Sequence, residues 1–272
     1  MRYPNDFPAL SPVPPEPDDV AVGMLQTAPS YGRCEVLLYS DEHEKRLWQL
    51  PDEHLFKLGE MWRETYLDFQ QDSKIAYTFI FENRGEAVGV TMPHPHGQVY
   101  GYPFAPEKVK NEHKNSAKYR RKNGSCLFCD ILKSERNDGR RIIFENEHFV
   151  VYLPFFAPTV YGVYIAPKRH VFSIAEMTNA ELNSLSKTVS RCSKMYDNLF
   201  DGGKIFPYMM GMYNPLKGAD KDFWHFHIKF FSVMRSEVKQ QFPASSETCV
   251  GAYCNPTSPE EKAEELRKAA VL

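Results

Sequence analysis

The sequence predicts an α/β chain of the α+β kind: two related halves, each a mainly antiparallel sheet with packed helices, arranged about a pseudo-twofold axis. Three observations carry this reading. Two β-rich segments contain a His-x-His pair, His94-Pro95-His96 and His225-Phe226-His227. Each pair ends the same order of elements: a strand closing on a histidine, an amphipathic helix, a second strand, then the pair. The spacing agrees, since His94 follows His43 by 51 positions and His225 follows His170 by 55.

Taken in order, residues 5–10 read as a strand, followed by a Pro/Asp-rich loop over 11–19. Residues 34–39 read as a strand running on to His43. Leu55, Leu58, Trp62, Tyr66 and Phe69 recur at steps of three and four, the stripe of a helix facing a sheet. Residues 75–81 are β-rich and lead into a histidine strand over 91–100. The charged run 107–122 reads as a solvated connecting helix closed by Gly124, which sets a boundary between an N-terminal half, 1–123, and a C-terminal half, 124–272.

The second half opens on Cys126-x-x-Cys129, and a strand is expected over 160–165 before Pro167-Lys168-Arg169-His170. Thr178 with Glu181 makes a capping box, and Leu182, Leu185, Val189, Cys192 and Leu199 form the stripe of the next helix. Strands are expected at 207–212 and 223–228. Ser258-Pro259-Glu260-Glu261 caps a last helix running to Ala270.

Composition limits the function. Hydrophobic residues at 42%, with 14% aromatic, supply a real core, and a formal net charge of −2 leaves no electrostatic footprint for nucleic acid or anionic membrane. No apolar run is long enough to span a bilayer. Met1-Arg2-Tyr3-Pro4 does not begin a secretory signal, and six cysteines in 272 residues are not a disulfide framework, so a cytoplasmic location is expected. Cys126 and Cys129 then read as metal ligands.

The chemistry concentrates in Thr91-Met92-Pro93-His94-Pro95-His96-Gly97-Gln98. On a strand, His94, His96 and Gln98 share one face. Two imidazoles and a carboxamide build a poor core but suit a phosphate: one ring can act as nucleophile, the amide can donate to a non-bridging oxygen, and Gly97 permits close backbone approach. Pro95 cannot donate to a ladder, so it belongs at an edge or a strand end.

Residues 81–100, with Phe81-Glu82-Asn83-Arg84-Gly85 ahead of the histidines, closely resemble the active-site block of the galactose-1-phosphate uridylyltransferases, members of the histidine-triad superfamily. The resemblance covers nearly the whole chain and implies two histidine-triad-like halves. It implies ping-pong transfer of UMP from UDP-glucose to galactose 1-phosphate through a covalent uridylyl-histidine. It further implies His96 as nucleophile, Gln98 holding a non-bridging oxygen, Asn5, Asp6 and Phe7 at uridine and ribose, and Asn83, Gly89 and Thr91 at the phosphates. Glu247 is carried over as a hexose contact, although Gln241 stands where the family usually has Lys. Histidine-triad hydrolases carry a third histidine at the Gln98 position; a carboxamide cannot do that acid–base work, which favours transfer over hydrolysis.

By position in the same resemblance, Cys126, Cys129, His170 and His225 are matched to a structural zinc site, four N/S ligands with none left for water. His43 and His94 are the analogous ligands of the first half. Their two cysteines would fall before residue 1, so a metal there is expected to be absent or loosely held. A Glu-type alternative through Glu112 and His227 is disfavoured by Tyr213, which stands where a histidine is expected. The family implies a homodimer. The alternatives are an adenylyl-transferring sugar-nucleotide phosphorylase and a truncated, catalytically silent nucleotide-binding relative.

Overall fold

The computed structural model describes residues 1–90, 92, 94–200 and 204–271. Nine strands form one sheet: β1 (Arg2–Pro4), β2 (Arg33–Leu38), β3 (Tyr77–Arg84), β4 (His96–Tyr102), β5 (Ile142–Glu145), β6 (Phe149–Tyr152), β7 (Tyr164–Pro167), β8 (Tyr208–Tyr213) and β9 (His227–Ser232). Their order is β1-β2-β4-β3-β8-β9-β7-β6-β5, and every paired neighbour is antiparallel. The order β1-β2-β4-β3 is mirrored by β6-β7-β9-β8. The repeated halves therefore meet edge to edge, with β3 paired to β8 from Ile80↔Met212 to Arg84↔Tyr208. Mutual pairing satisfies the edge of each half and makes the antiparallel sheets of the two copies continuous.

Six helices complete the fold: α1 (Asp52–Gln71), α2 (Glu107–Asn123), α3 (Leu127–Asp138), α4 (Asn179–Asp197), α5 (Ser245–Val250) and α6 (Pro259–Val271). The apolar stripes of α1, α4 and α6 cover one face of the sheet, where Trp62, Leu182 and Leu266 meet Ile80, Val99, Ile165 and Ile228 in one core. Burying such a side chain fully contributes about 1.5–3 kcal/mol. The Thr178 capping box forms: its Oγ1 accepts from the Glu181 N–H at 3.2 Å while Glu181 Oε2 accepts from the Thr178 N–H at 2.8 Å. The other face is treated unequally. Leu132 of α3 packs on Val150, Tyr152, Tyr164 and Ala166, while α2 buries Val109, His113 and Ser116. Among the described residues, the α-helix that precedes β4, α1, lies on the opposite face.

Several expected elements shift. The first strand is Arg2–Pro4, not 5–10, because Asn5 turns the chain: its Oδ1 accepts from the Phe7 N–H at 2.9 Å. Asn146 does the same for His148 at 2.9 Å, so the two copies share this turn. The histidine strand begins at His96, with Pro95 just before it. β4 lies between β2 and β3, so Pro95 sits at a strand end and not at a sheet edge. His94 therefore does not share the His96 face; its ring turns back toward β2. Residues 160–163 form a turn ahead of β7, and His225 precedes β9 as His94 precedes β4. Leu199 lies beyond the end of α4.

Candidate active site and metal centre

Antiparallel register places Phe81 opposite Gln98 and Phe79 opposite Tyr100, so these side chains share the uncovered face with His96. Partly buried His96 is fixed by its own chain. Its Nδ1 lies 2.8 Å from the His94 carbonyl oxygen, which can only accept, so Nδ1 carries the proton and Nε2 keeps its lone pair. His227 makes the same bond to the His225 carbonyl at 2.9 Å, the tautomer device of the repeat. Gln98 Oε1 lies 3.5 Å from Asn5 Nδ2, and the Asn5 N–H is held by the Cys34 carbonyl at 2.9 Å. His96, Gln98 and Asn5 thus gather at one end of β4. Asp6 and Phe7 are exposed, Phe7 by 93%.

Beside this group, over β3 and β8, lies a cavity of about 500 Å³ whose wall includes Phe81, Asn83, Tyr102, Lys108, Tyr213 and Glu247. Asn83 and Glu247, far apart in sequence, meet the same space. Glu247 also caps α5, accepting from the Ala244 N–H at 3.0 Å. Gly89 closes the short turn after β3 with φ of +83°, a conformation that favours glycine. Thr91 lies outside the described residues. Sequence reasoning missed Lys108, the one Lys or Arg on this wall among the described residues, because in a charged helix it reads like its solvated neighbours.

In the second half the equivalent position is closed. His227 stacks on Tyr213 with ring centroids 5.0 Å apart, and Lys229, where the first copy has Gln98, is buried in an ion pair with Glu112 of α2. Burial holds the His227 ring neutral, its pKa well below the ordinary value. Glu112 is thereby committed to an ammonium, a geometry unlike a Glu/His ligand set.

The sulfurs of Cys126 and Cys129 and a ring nitrogen of His170 lie within 4.8 Å of one another. Cys129 Sγ is 3.1 Å from His170 Nδ1 and 3.4 Å from His225 Nδ1. His170 Nε2 faces the Lys221 carbonyl at 2.9 Å, so its proton resides there and Nδ1 presents a lone pair to the sulfurs. The Cys126 thiol is held below its ordinary range, chiefly by its hydrogen bond with Cys129 and against the effect of burial. Two thiols and imidazole lone pairs aimed at one point fit a metal ion. In the first half, His94 Nε2 faces the Ser40 carbonyl at 2.7 Å and its Nδ1 faces His43 Nδ1 at 3.0 Å. Only one of those two nitrogens can carry a proton, and since His94 Nε2–H is used on Ser40, His43 donates. Among the described residues no third His, Cys, Asp or Glu joins this pair in a ligand group.

A sheet made of two copies of one module, with one copy open at an imidazole that keeps a free ring nitrogen and the other sealed, suits the class of group-transfer enzymes. Comparison narrows that class. Models of the galactose-1-phosphate uridyl transferase N-terminal and C-terminal domains match residues 2–106 and 110–268. The chain belongs to the galactose-1-phosphate uridylyltransferase family. It is 37% identical to the galactose-1-phosphate uridylyltransferase of Thermotoga maritima, covering 100% of this chain and 85% of that protein. The Haemophilus influenzae enzyme of the same name is 30% identical over 97% of this chain and 75% of its own. A solved uridylyltransferase superposes with a TM-score of 0.92 at 27% identity, covering 100% of this chain and 84% of that one. An ADP-glucose phosphorylase from Arabidopsis thaliana shares the fold, with a TM-score of 0.81 at 20% identity over 98% of this chain and 81% of its own.

Proposed function

We propose that the chain is a UDP-glucose–hexose-1-phosphate uridylyltransferase of galactose metabolism, acting by double displacement. His96 Nε2 attacks the α-phosphorus of UDP-glucose; a P–N bond forms, the P–O bond to the leaving group breaks, and glucose 1-phosphate departs with the electron pair. A phosphate oxygen of galactose 1-phosphate then attacks the same phosphorus, the P–N bond breaks, and UDP-galactose leaves with neutral His96 restored. The observation that carries this reading is the 2.8 Å bond from His96 Nδ1 to the His94 carbonyl, which commits the proton to one nitrogen and leaves the other nucleophilic.

Gln98 donates to a non-bridging oxygen as charge shifts, and Asn5 steadies Gln98 from behind. Asn5, Asp6 and Phe7 bind the nucleoside, while Asn83, Gly89 and Thr91 bind the phosphates. The hexose takes the cavity over β3 and β8, with Glu247 at its hydroxyls and Lys108 supplying positive charge. Cys126, Cys129, His170 and His225 would hold a structural zinc ion, tying α3 to the loops before α4 and β9. His43 and His94 hold a second metal loosely or not at all. Six unpaired cysteines fit a reducing, cytoplasmic setting, no described helix is long and apolar enough to cross a membrane, and the working unit is a homodimer.

The test is intact mass after incubation with UDP-glucose, beside a His96→Asn control. A gain of one UMP that the control lacks is expected. No adduct on the zinc-loaded chain would overturn uridylyl transfer, and adduct from ADP-glucose in place of UDP-glucose would reassign the base.

A further inference from the structure

The strand that bears His96 rests on a buried acid that the chemistry above does not use. Along β3, Phe81 and Asn83 face the open side, so Glu82 and Arg84 face the helical layer. Glu82 is 5% exposed, and its Oε1 accepts from the Tyr208 hydroxyl at 2.8 Å. Its Oε2 has no hydrogen-bond partner among the described residues, and neither has the Tyr39 hydroxyl, its electrostatic neighbour. A buried acceptor and a buried donor, adjacent and otherwise unpartnered, are left to satisfy one another.

Tyr39 lies directly beneath the reactive strand. A Cβ at Gly97 would collide with the Tyr39 hydroxyl, so that hydroxyl occupies the space behind the residue between His96 and Gln98. The Tyr39 N–H donates to the Pro95 carbonyl at 3.0 Å, and the carbonyl of Ser40 accepts from His94 Nε2 at 2.7 Å. Tyr39 and Ser40 thus hold His94 and Pro95 by the backbone and Gly97 by contact. The Tyr39 ring is seated in turn by Trp62, edge-on at 6.0 Å.

We infer that Glu82 is a positioning residue for uridylyl transfer: by fixing the Tyr39 hydroxyl under Gly97, its carboxyl sets the height of the His96 ring and the Gln98 amide against the substrate phosphorus. The inference rests on His96 being the nucleophile. Tyr208 braces the carboxyl from the β8 side, and Arg84, the nearest cation along β3, is engaged by Asp197 at 2.8 Å and leaves Glu82 to the two phenols. Burial pushes the Glu82 carboxyl up to about 7, against the hydrogen bond from Tyr208. A neutral side chain of this shape therefore suits the site, and Glu82→Gln is compatible with folding.

Single-turnover loading of His96 from UDP-glucose, followed by intact mass on the full chain, tests the inference with Glu82→Gln, Tyr39→Phe and the double variant. Expected are loading rates about 10- to 100-fold below wild type, Michaelis constants within about twofold, and a double variant no slower than the slower single. Unchanged loading rates, or Michaelis constants that rise while melting temperature collapses, would overturn it. Should the wild-type chain take no UMP, the functional reading fails on its own account. The positioning role is then read from the ¹⁵N signals of the His96 ring: a shift in Glu82→Gln is expected, and unmoved signals would refute it.

Discussion

At position 97 the absence of a side chain has a definite cause. A methyl group there would meet the Tyr39 hydroxyl and the Phe81 carbonyl, the latter at 3.0 Å. Gly97→Ala should therefore cost about 1–3 kcal/mol through overpacking, read as a lower urea midpoint, and should slow UMP loading as well. One position on, Gln98 offers an amide where charge develops. Gln98→Ala should lower kcat by about 10²-fold with little change in the Michaelis constant, because the lost donor acts chiefly in the transition state. Steady-state kinetics with UDP-glucose decides between that outcome and a pure binding loss.

Among the elements, β3 does two tasks at once by alternation. Its outer side chains, Phe81 and Asn83, line the cavity, while its inner ones anchor it. Arg84 makes two hydrogen bonds of 2.8 Å to Asp197 at the end of α4, and Asp197 also accepts from Trp48 Nε1 at 2.8 Å. The Asp197 carboxylate is held below its ordinary range by Arg84 against the opposing effect of burial. Asp197→Ala would strand the buried guanidinium and should cost about 3–5 kcal/mol in chemical denaturation.

Helix α2 is held through His113, which stacks on Trp224 at 3.9 Å and whose Nε2 accepts from the Leu216 N–H at 3.2 Å. That bond requires the neutral ring, and burial lowers its pKa from the ordinary value of 6.5 to about 4. The unfolded chain therefore binds a proton more readily between those limits. Stability should fall as pH drops from 6.5 toward 4 and level off below, with that component missing in His113→Gln. Urea midpoints of both chains across this range measure it.

On the scale of the whole molecule, duplication produced two sites and kept one open. The β3–β8 junction brings the copies together, α2 and α3 cover the second, and the Lys229–Glu112 pair occupies the place corresponding to the open pocket. The metal-type cluster of the second copy ties α3 to the loops preceding α4 and β9. Elemental analysis should find one tightly held zinc per chain, and chelation should lower the melting temperature; two tightly held ions would mean that His43 and His94 ligate as well.

Much of this was already determined by local sequence. Steps of three and four specify α1 and α4 because a helix face repeats every 3.6 residues, and Thr178 with Glu181 places the start of α4 because those two side chains satisfy its first N–H groups. Alternation along β4 puts His96 and Gln98 on one face, and the matched order of elements discloses the duplication. Other features required tertiary structure. That His94 leaves the strand depends on Ser40 and His43, more than fifty positions away. That β3 pairs with β8 depends on two edges with no shared local signal, since alternation tells a strand which face is inward but not which neighbour it meets. That Glu82 meets Tyr208 and neighbours Tyr39 under Gly97 depends on three strand regions brought together by the sheet. Periodicity and capping act within a turn or two of chain and can be read from it; partners of buried polar groups are chosen across the core, where only the folded chain decides which donor meets which acceptor.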